Sequence, residues 1–335
     1  MKKLIPLFLL VLFVIMYPFV FATNYYLTIG IFIGIRAIVV VGLCLLMGYA
    51  GQASLGQAAF FAIGAYTSGI LTARMGVSPW LAVVAGIILT CLIALFIGWP
   101  SLKLRGHFLA LATLSFGLIV YFLLKQWSGL TGGPSGLLGI PALTFLGVRM
   151  RSISYYYLVW AILAAIMWLS WNIVNSRVGR ALRAIHDSEI AADCMGIDTF
   201  TLKLKLFVLS AAYASVAGSL YAHYVRFFSP AAFGFKVSIE LAIMAAIGGM
   251  ASIWGGLLGV TAITVLIEAL RAVVPRIMPA AQAVGAMETT TYGLIMVLTF
   301  IYMPDGLVHG IGQLQHLLKK WTDSSKKRVP TVKRG

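Results

Sequence analysis

Apolar runs follow one another along this chain with too few polar breaks for a water-soluble core to absorb them. Each is about as long as the ~20 residues an α-helix needs to cross a hydrocarbon layer of about 30 Å, and they extend from residue 4 to residue 303. Hydrophobic residues make up 61% of the 335 and charged residues 10%, which excludes a soluble fold of this size. Run length and periodicity predict spans at 4–23, 27–49, 53–73, 79–98, 107–124, 153–174, 206–225, 237–256, 258–275 and 286–303. The fold class expected is an all-α polytopic membrane protein of about ten transmembrane helices. Within 27–73 and 237–275 the connectors hold almost no polar residues, so broken or tightly turned helix pairs are expected there.

Charge sets the expected orientation. Ten crossings place both termini on one side, together with the loops at 99–106 and 175–205. That side carries 16 Lys and Arg against 8 on the other, with Arg36 inside a span, so the richer side is expected to be cytoplasmic. The net charge of +16 therefore reads as membrane topology, and no nucleic-acid partner is expected. Lys2 and Lys3 precede an apolar run ending in Val-Phe-Ala at 20–22, a cleavage-like signature. The run is long for a signal peptide and is read as a retained helix. The basic segment 311–335 is expected to be a cytoplasmic tail on anionic membrane lipid, leaving 1–310 as the transmembrane domain. Cys44, Cys91 and Cys194 share no CxxC spacing and the five histidines no HExxH, so no metal or cofactor site is expected and no membrane-embedded enzyme is supported. No GxxxxGK[ST] phosphate loop occurs either.

The most hydrophilic internal stretch is GRALRAIHDSEIAADCMGID, residues 179–198. Gly179 precedes a helical run, Asp187 or Ser188 can cap a second run from Glu189, and Gly196 is placed to end it. Arg177, Arg180 and Arg183 form a basic stripe, with Ala181, Ala184 and Ile185 on another face. Ala191, Ala192 and Met195 form a small-residue patch suited to a groove on another protein. Two readings stand on these residues alone: a docking element, or a solvated loop whose arginines touch lipid phosphates.

Gly48, Gly51 and Gly56 alternate with Gln52, Ser54 and Gln57 between two apolar spans. Irregular backbone inside a membrane persists only where it is buried or lines a cavity, so these polar residues are candidates for a translocation pathway; a glycine-rich packing turn is the other reading. The segment at 248–259 places Ala251, Gly255 and Gly259, and Gly248, Ser252 and Gly256, at period four, which reads as close helix packing. Arg36 falls mid-span and needs a partner, either a substrate carboxylate or Glu268 or Glu240. Glu268 can pair with Arg271 three residues on, while Glu240 and Glu288 are expected near the outer surface. The Gly- and Pro-rich outer loop 125–152 marks turns.

Several stretches together resemble a known family: GYAGQASLGQAAFFAIGAY at 48–66, RVGRALRAIHDSEIAADCMGID at 177–198, LSAAYASVAGSLYA at 209–222, SPAAFGFKVSIELAIMAAIGGMASIWGGLLG at 229–259 and YGLIMVLTFIYMPDGLVHG at 292–310. Across about residues 27–310 the chain is similar to LivM-type permease subunits of branched-chain amino-acid ABC importers. Within it, EIAADCMG is similar to the EAAxxxG loop that couples such permeases to their ATPases, with Ile190 inserted after the Glu. The resemblance implies an ABC importer permease fold, and ATPase contacts through Gly196, Ala191 and Ala192 for groove fit and Glu189, Arg180 and Arg183 for polar contact. It implies four kinds of partner chain or surface: a LivH-type permease subunit, two cytoplasmic ATP-binding subunits, an extracytoplasmic substrate-binding protein facing loop 125–152, and bacterial inner-membrane lipid. The pathway candidates are Gln52, Ser54, Gln57, Arg36 and Glu268. Substrates of such permeases extend from branched-chain amino acids to urea, short amides and aromatic acids; an ion-coupled secondary transporter is the alternative machinery.

Overall fold

The computed structural model describes residues 23–104, 106–145 and 148–277, with a few isolated positions on either side. The spans expected at 4–23 and 286–303, the tail at 311–335, Glu288 and the termini lie outside the described residues. The long helices are α1 (Asn24–Leu43, continued by a π-helical turn Cys44–Tyr49), α2 (Gln57–Met75), α3 (Pro79–Ser101), α4 (His107–Gln126) and α5 (Ser152–Asn175). Two short helices, α6 (Arg177–Asp187) and α7 (Glu189–Cys194), lead into α8 (Thr199–Val225), α9 (Phe235–Gly248) and α10 (Ile253–Ile277). Among the described residues, seven helical stretches are long and apolar enough to cross a membrane. Among the described residues the fold is all-α, apart from an antiparallel hairpin of two-residue strands, β1 (Thr144–Phe145) with β2 (Val148–Arg149), in the loop between α4 and α5.

Small residues decide which helices meet, because in lipid an apolar side chain gains little from leaving its surroundings and association depends on fit. On α3 the buried positions are Ala82, Gly86, Thr90, Ala94, Gly98 and Ser101, while Leu81, Val84, Ile88, Leu92 and Phe96 face outward. The small face lies on α8, where the Thr90 hydroxyl donates to Ser215 Oγ at 3.0 Å. On α2, a Cβ added at Gly64 would overlap the Ser215 backbone, and one at Gly218 of α8 would overlap the Phe61 carbonyl. Ser219 Oγ donates to the Gly64 carbonyl at 3.2 Å, so α2 and α8 run parallel with their backbones nearly touching. Towards their C-terminal ends the His223 ring joins them: Nδ1 donates to the Pro141 carbonyl at 2.8 Å, and Nε2 lies 2.7 Å from Ser68 Oγ.

Two boundaries differ from those read in the sequence. The break expected near residue 257 falls at 249–252, where Gly249 takes φ +100 and the Ser252 hydroxyl accepts the Gly255 N–H at 3.3 Å. The small-residue ladders thus belong to two helices folded on each other: Gly248 of α9 faces the backbone of Gly255, Gly259 faces Met244, and Gly256 faces Cys44 of α1. A period-four pattern looks the same whether one helix carries it or a turn divides it, and the φ of Gly249 decides. The span expected at 237–256 is instead α9, 14 residues, which together with the 3₁₀ turn Pro230–Phe233 makes up one of the seven apolar stretches, Pro230–Gly248.

The depth of α9 follows from its register. Ser238 Oγ accepts the Ala58 N–H at 3.2 Å, and the adjacent Gln57 donates from Nε2 to Ser210 Oγ at 3.0 Å. Ser210 lies near the middle of α8, so α9 starts at mid-depth, after a return segment that includes the 3₁₀ turn Pro230–Phe233. Edge-on contacts of Phe233 with Phe228 and Tyr221 fill the space beneath that return. Replacing Gly218 with Val should destabilise the bundle by about 1–3 kcal/mol, seen as a lower thermal unfolding midpoint in detergent.

Candidate translocation and coupling sites

The hydrophilic mid-chain stretch folds as two capped helices. Ser176 Oγ accepts the Val178 N–H at 3.1 Å to start α6, and Ser188 Oγ accepts the Ala191 N–H at 3.3 Å to start α7. Gly196 at φ +78 closes α7, with its own N–H on the Asp193 carbonyl at 3.0 Å and that of Ile197 on Ala192 at 3.1 Å. Asp198 then caps α8 by accepting the Thr201 N–H at 3.0 Å, and the hydrogen bonds from Thr201 hold its carboxyl below the usual range. The expected loop 175–205 is therefore α6, α7 and the first turns of α8. Gly179, expected to precede α6, lies inside it, against the Val174 carbonyl.

The faces are divided by burial. Gly179, Leu182 and Ile185 turn inward, while Arg177, Arg180 and Arg183 are exposed. Ala191 is exposed, as is Met195 at 82%, but Ala192 is only 2% exposed. The expected patch of Ala191, Ala192 and Met195 is divided by burial: Ala192 is buried within this chain, whereas Ile190 is exposed along with Ala191 and Met195. A short helix rotates about 100° per residue, so adjacent alanines need not share a face.

Glu189 has an internal partner that the sequence did not reveal. Lys203, 6% exposed, places Nζ 2.5 Å from Glu189 Oε1. A second tie runs from Thr199 Oγ1, donating to Asp193 Oδ1 at 2.7 Å. Both attach α7 to the base of α8. Lys203 and Lys205 at the start of an otherwise apolar helix, with a carboxylate upstream across a turn, are the available sequence signal.

Residues 51–56 are irregular and lie between α1 and α2; Gln52, Ser54 and Gly56 are buried, Ala53 and Leu55 partly so, and Gly51 is exposed. Gly51 takes φ +65 beside His186 of α6. Gln52, 3% exposed, and Ser54 have side-chain atoms with no hydrogen-bond partner among the described residues, as has Gln57 Oε1. Gln52 lines a cavity of about 230 Å³ that also touches His186, Ser188, Glu189 and Lys203, so one of the polar pathway candidates shares a chamber with the α6–α7 pair.

A larger cavity of about 350 Å³ lies between α1, α8, α9 and α10 and is lined in part by Arg36, Glu240, Glu268 and Arg271. Glu268 accepts from Arg271 Nη1 at 3.1 Å and from the Tyr25 hydroxyl at 2.5 Å. Glu240, expected near the outer surface, is instead largely enclosed, because α9 starts at mid-depth; its Oε1 is 3.8 Å from Lys236 Nζ. Arg36 forms an ion pair with neither Glu268 nor Glu240, and with no other carboxylate among the described residues. Along α1, Arg36 sits six residues above Gly42, which abuts Ser210. The order along the bundle is thus the Arg36 cavity, the Gln57–Ser210 level, and the Gln52 cavity. Among the described residues no group of His, Cys, Asp and Glu could hold a metal ion.

Comparison with known proteins places these features in a family context. Residues 25–303 match the family described as branched-chain amino acid transport system, permease component. The chain is 31% identical over 291 residues to the high-affinity branched-chain amino acid transport permease LivM of Salmonella typhimurium, and 30% identical to that of Escherichia coli. Each match covers 80% of this chain and 66% of the relative, just under two thirds of its length. It is also 28% identical over 243 residues to LivH of Salmonella typhimurium, covering 67% of this chain and 77% of that one.

The Lys203–Glu189 tie has a measurable strength. Removing one member of a buried pair leaves an uncompensated charge, and partial exposure of Glu189 reduces that penalty. Lys203→Met should destabilise the chain by about 1–3 kcal/mol, and Glu189→Gln in the same chain should recover part of it. Detergent unfolding midpoints of the singles and the double variant measure the coupling.

Proposed function

The chain belongs to the branched-chain amino acid transport system permease component family, and from that premise we propose that it is the LivM-type membrane subunit of an ABC importer carrying branched-chain or related amino acids inward. It is a multi-pass membrane protein and a transport component rather than an enzyme. The proposed assembly pairs it with a LivH-type permease, two cytoplasmic ATP-binding subunits and an extracytoplasmic substrate-binding protein in the bacterial inner membrane. Residues 1–310 are the transmembrane domain, and both termini, the lipid-contacting tail 311–335 and the 175–205 segment face the cytoplasm.

The observation that carries this reading is the exposed α6–α7 pair. It presents Arg180, Arg183, Ala191 and Gly196 outward, while its inner face is tied to α8 through Glu189 and Lys203. Closure of the ATPases presses on that outer face. The pair passes the displacement to α8, and α8 carries α2 and α3 with it through their shared close contacts. Alternating access follows if two bundle states differ in these contacts. The polar residues Gln52, Ser54 and Gln57, with Arg36 and Glu268 above them, then mark the route between the two faces.

Reconstituted with its partner subunits, the chain should import L-leucine only with ATP, and an uncoupler should leave uptake intact; uptake driven by an ion gradient without ATP would defeat the reading. Gly196 offers a sharper test. No heavy atom lies within 4 Å of a Cβ added there, although φ +78 strains any non-glycine residue. Gly196→Ala and Gly196→Trp should therefore both lose only about 1 kcal/mol of stability. Only the Trp variant should lose uptake, with ATP hydrolysis continuing, because its bulk projects into the partner's groove.

A further inference from the structure

A buried amide left without hydrogen bonds costs free energy, so any state of the molecule that supplies its partners is favoured. Gln52 is 3% exposed, and neither its Nε2 nor its Oε1 has a partner among the described residues. The backbone that carries it is fixed all the same. The Gln52 N–H donates to the Leu46 carbonyl at 3.0 Å and the Leu55 N–H to Thr113 Oγ1 at 3.0 Å, while a Cβ added at Gly56 would overlap the Thr113 carbonyl. The amide thus belongs to a segment anchored on α1 and α4.

The facing wall of its cavity, of about 230 Å³, is anchored elsewhere. His186, Asp187, Ser188 and Glu189 supply it from the α6–α7 pair, and Lys203 from α8. Among the described residues no hydrogen bond or ion pair joins 51–56 to α6 or α7, so the two walls can shift without breaking one. Exposure separates the groups that could meet the amide. The side chains of Asp187 and His186 are 85% and 46% exposed, so water competes for them, whereas Lys203 and Glu189, at 8% and 27%, form the drier pair. An ammonium has three N–H donors and a carboxylate several acceptor sites, so this pair can take up the amide without parting.

Resting on the importer reading, we propose that Gln52 is the positioning residue through which the α6–α7 pair acts on the break between α1 and α2. When the ATPases press the pair inward the cavity narrows, Lys203 Nζ donates to Gln52 Oε1, and Gln52 Nε2 donates to the Glu189 carboxylate. These two charge-assisted hydrogen bonds stabilise the pressed state and draw the 51–56 segment along. Displacement therefore reaches the polar segment at first hand as well as through α8.

The complete complex with its binding protein, in proteoliposomes, provides the test. Gln52→Leu should lower the leucine imported per ATP hydrolysed roughly tenfold, the loss of about one hydrogen bond to a charged group, without raising the leucine concentration for half-maximal uptake; Gln52→Asn, which keeps the amide, should restore part of the yield. A raised half-saturation with an unchanged yield makes Gln52 a substrate contact and overturns the proposal. Adding Gln52→Leu to Lys203→Met should cost no more uptake than Lys203→Met alone, because both remove one link, and losses that multiply also overturn it. A measurement that leaves Gln52 in place uses spin labels at Leu104→Cys and His186→Cys on the cavity rim, in a chain with Cys91 and Cys194 replaced by serine. The labels should lie closer with ATP bound to hydrolysis-deficient ATPases than without nucleotide, and an unchanged distance overturns the proposal. Each of these failures leaves the importer reading in place; an unmutated complex that imports no leucine with ATP overturns that reading, and the proposal with it.

Discussion

Water is absent from most of the volume this bundle occupies, and any polar group placed there must find its partner inside the protein. That constraint accounts for where the chain departs from simple helices. Residues 51–56 lose helical geometry beside α1, α4 and α6: the Leu55 N–H is received by Thr113 Oγ1 at 3.0 Å, and the Gln52 N–H by the Leu46 carbonyl at 3.0 Å. The 226–234 return is closed in the same way, with Leu137 and Phe228 exchanging backbone hydrogen bonds between two loops. Of the buried side-chain polar atoms left without a partner among the described residues, those on Gln52, Ser54 and Gln57 cluster at the break between α1 and α2, and Tyr66, Tyr156 and Thr264 carry the others.

The sequence displayed helices far better than it displayed depth. Run length located α1, α3, α4 and α5 nearly to the residue, because a lipid-crossing segment must be apolar over most of its length. It could not show that α9 starts halfway in, since Phe235–Gly248 is as apolar as a true crossing. Glu240 was consequently placed at a surface, whereas the register through Ser238 and Ala58 encloses it. The cap residues Ser188 and Gly196 were legible because each acts within a few positions of itself. The Glu189–Lys203 pair was not, because its members sit on different helices and only the turn at 195–198 brings them together. The burial of Ala192 was hidden for a related reason: a six-residue helix has too little periodicity to show which face is inner.

The same contacts that hold the bundle also define its mechanical units. Parallel α2 and α8, fused along Gly64, Ser215 and Gly218, take α3 with them through Thr90. The α6–α7 pair joins this unit through one ion pair and one hydroxyl. On the opposite flank, α9 and α10 form a hairpin whose backbones touch at Gly248, Gly255 and Gly259. The cavity around Arg36 has walls from both groups, with α1 between them. A relative shift of the two groups changes the dimensions of that cavity without breaking either set of close contacts.

The two faces of α3 answer to different rules of inheritance. Its inward positions, Ala82, Gly86, Thr90, Ala94 and Gly98, are limited by volume, and the outward Val84, Ile88, Leu92 and Phe96 only by their dislike of water. Among descendants of such a chain, leucine, isoleucine, valine and phenylalanine should interchange freely along one edge of this helix. Along the other, only the smallest side chains should survive, so that a single segment records neutral drift on one side and strict purifying selection on the other.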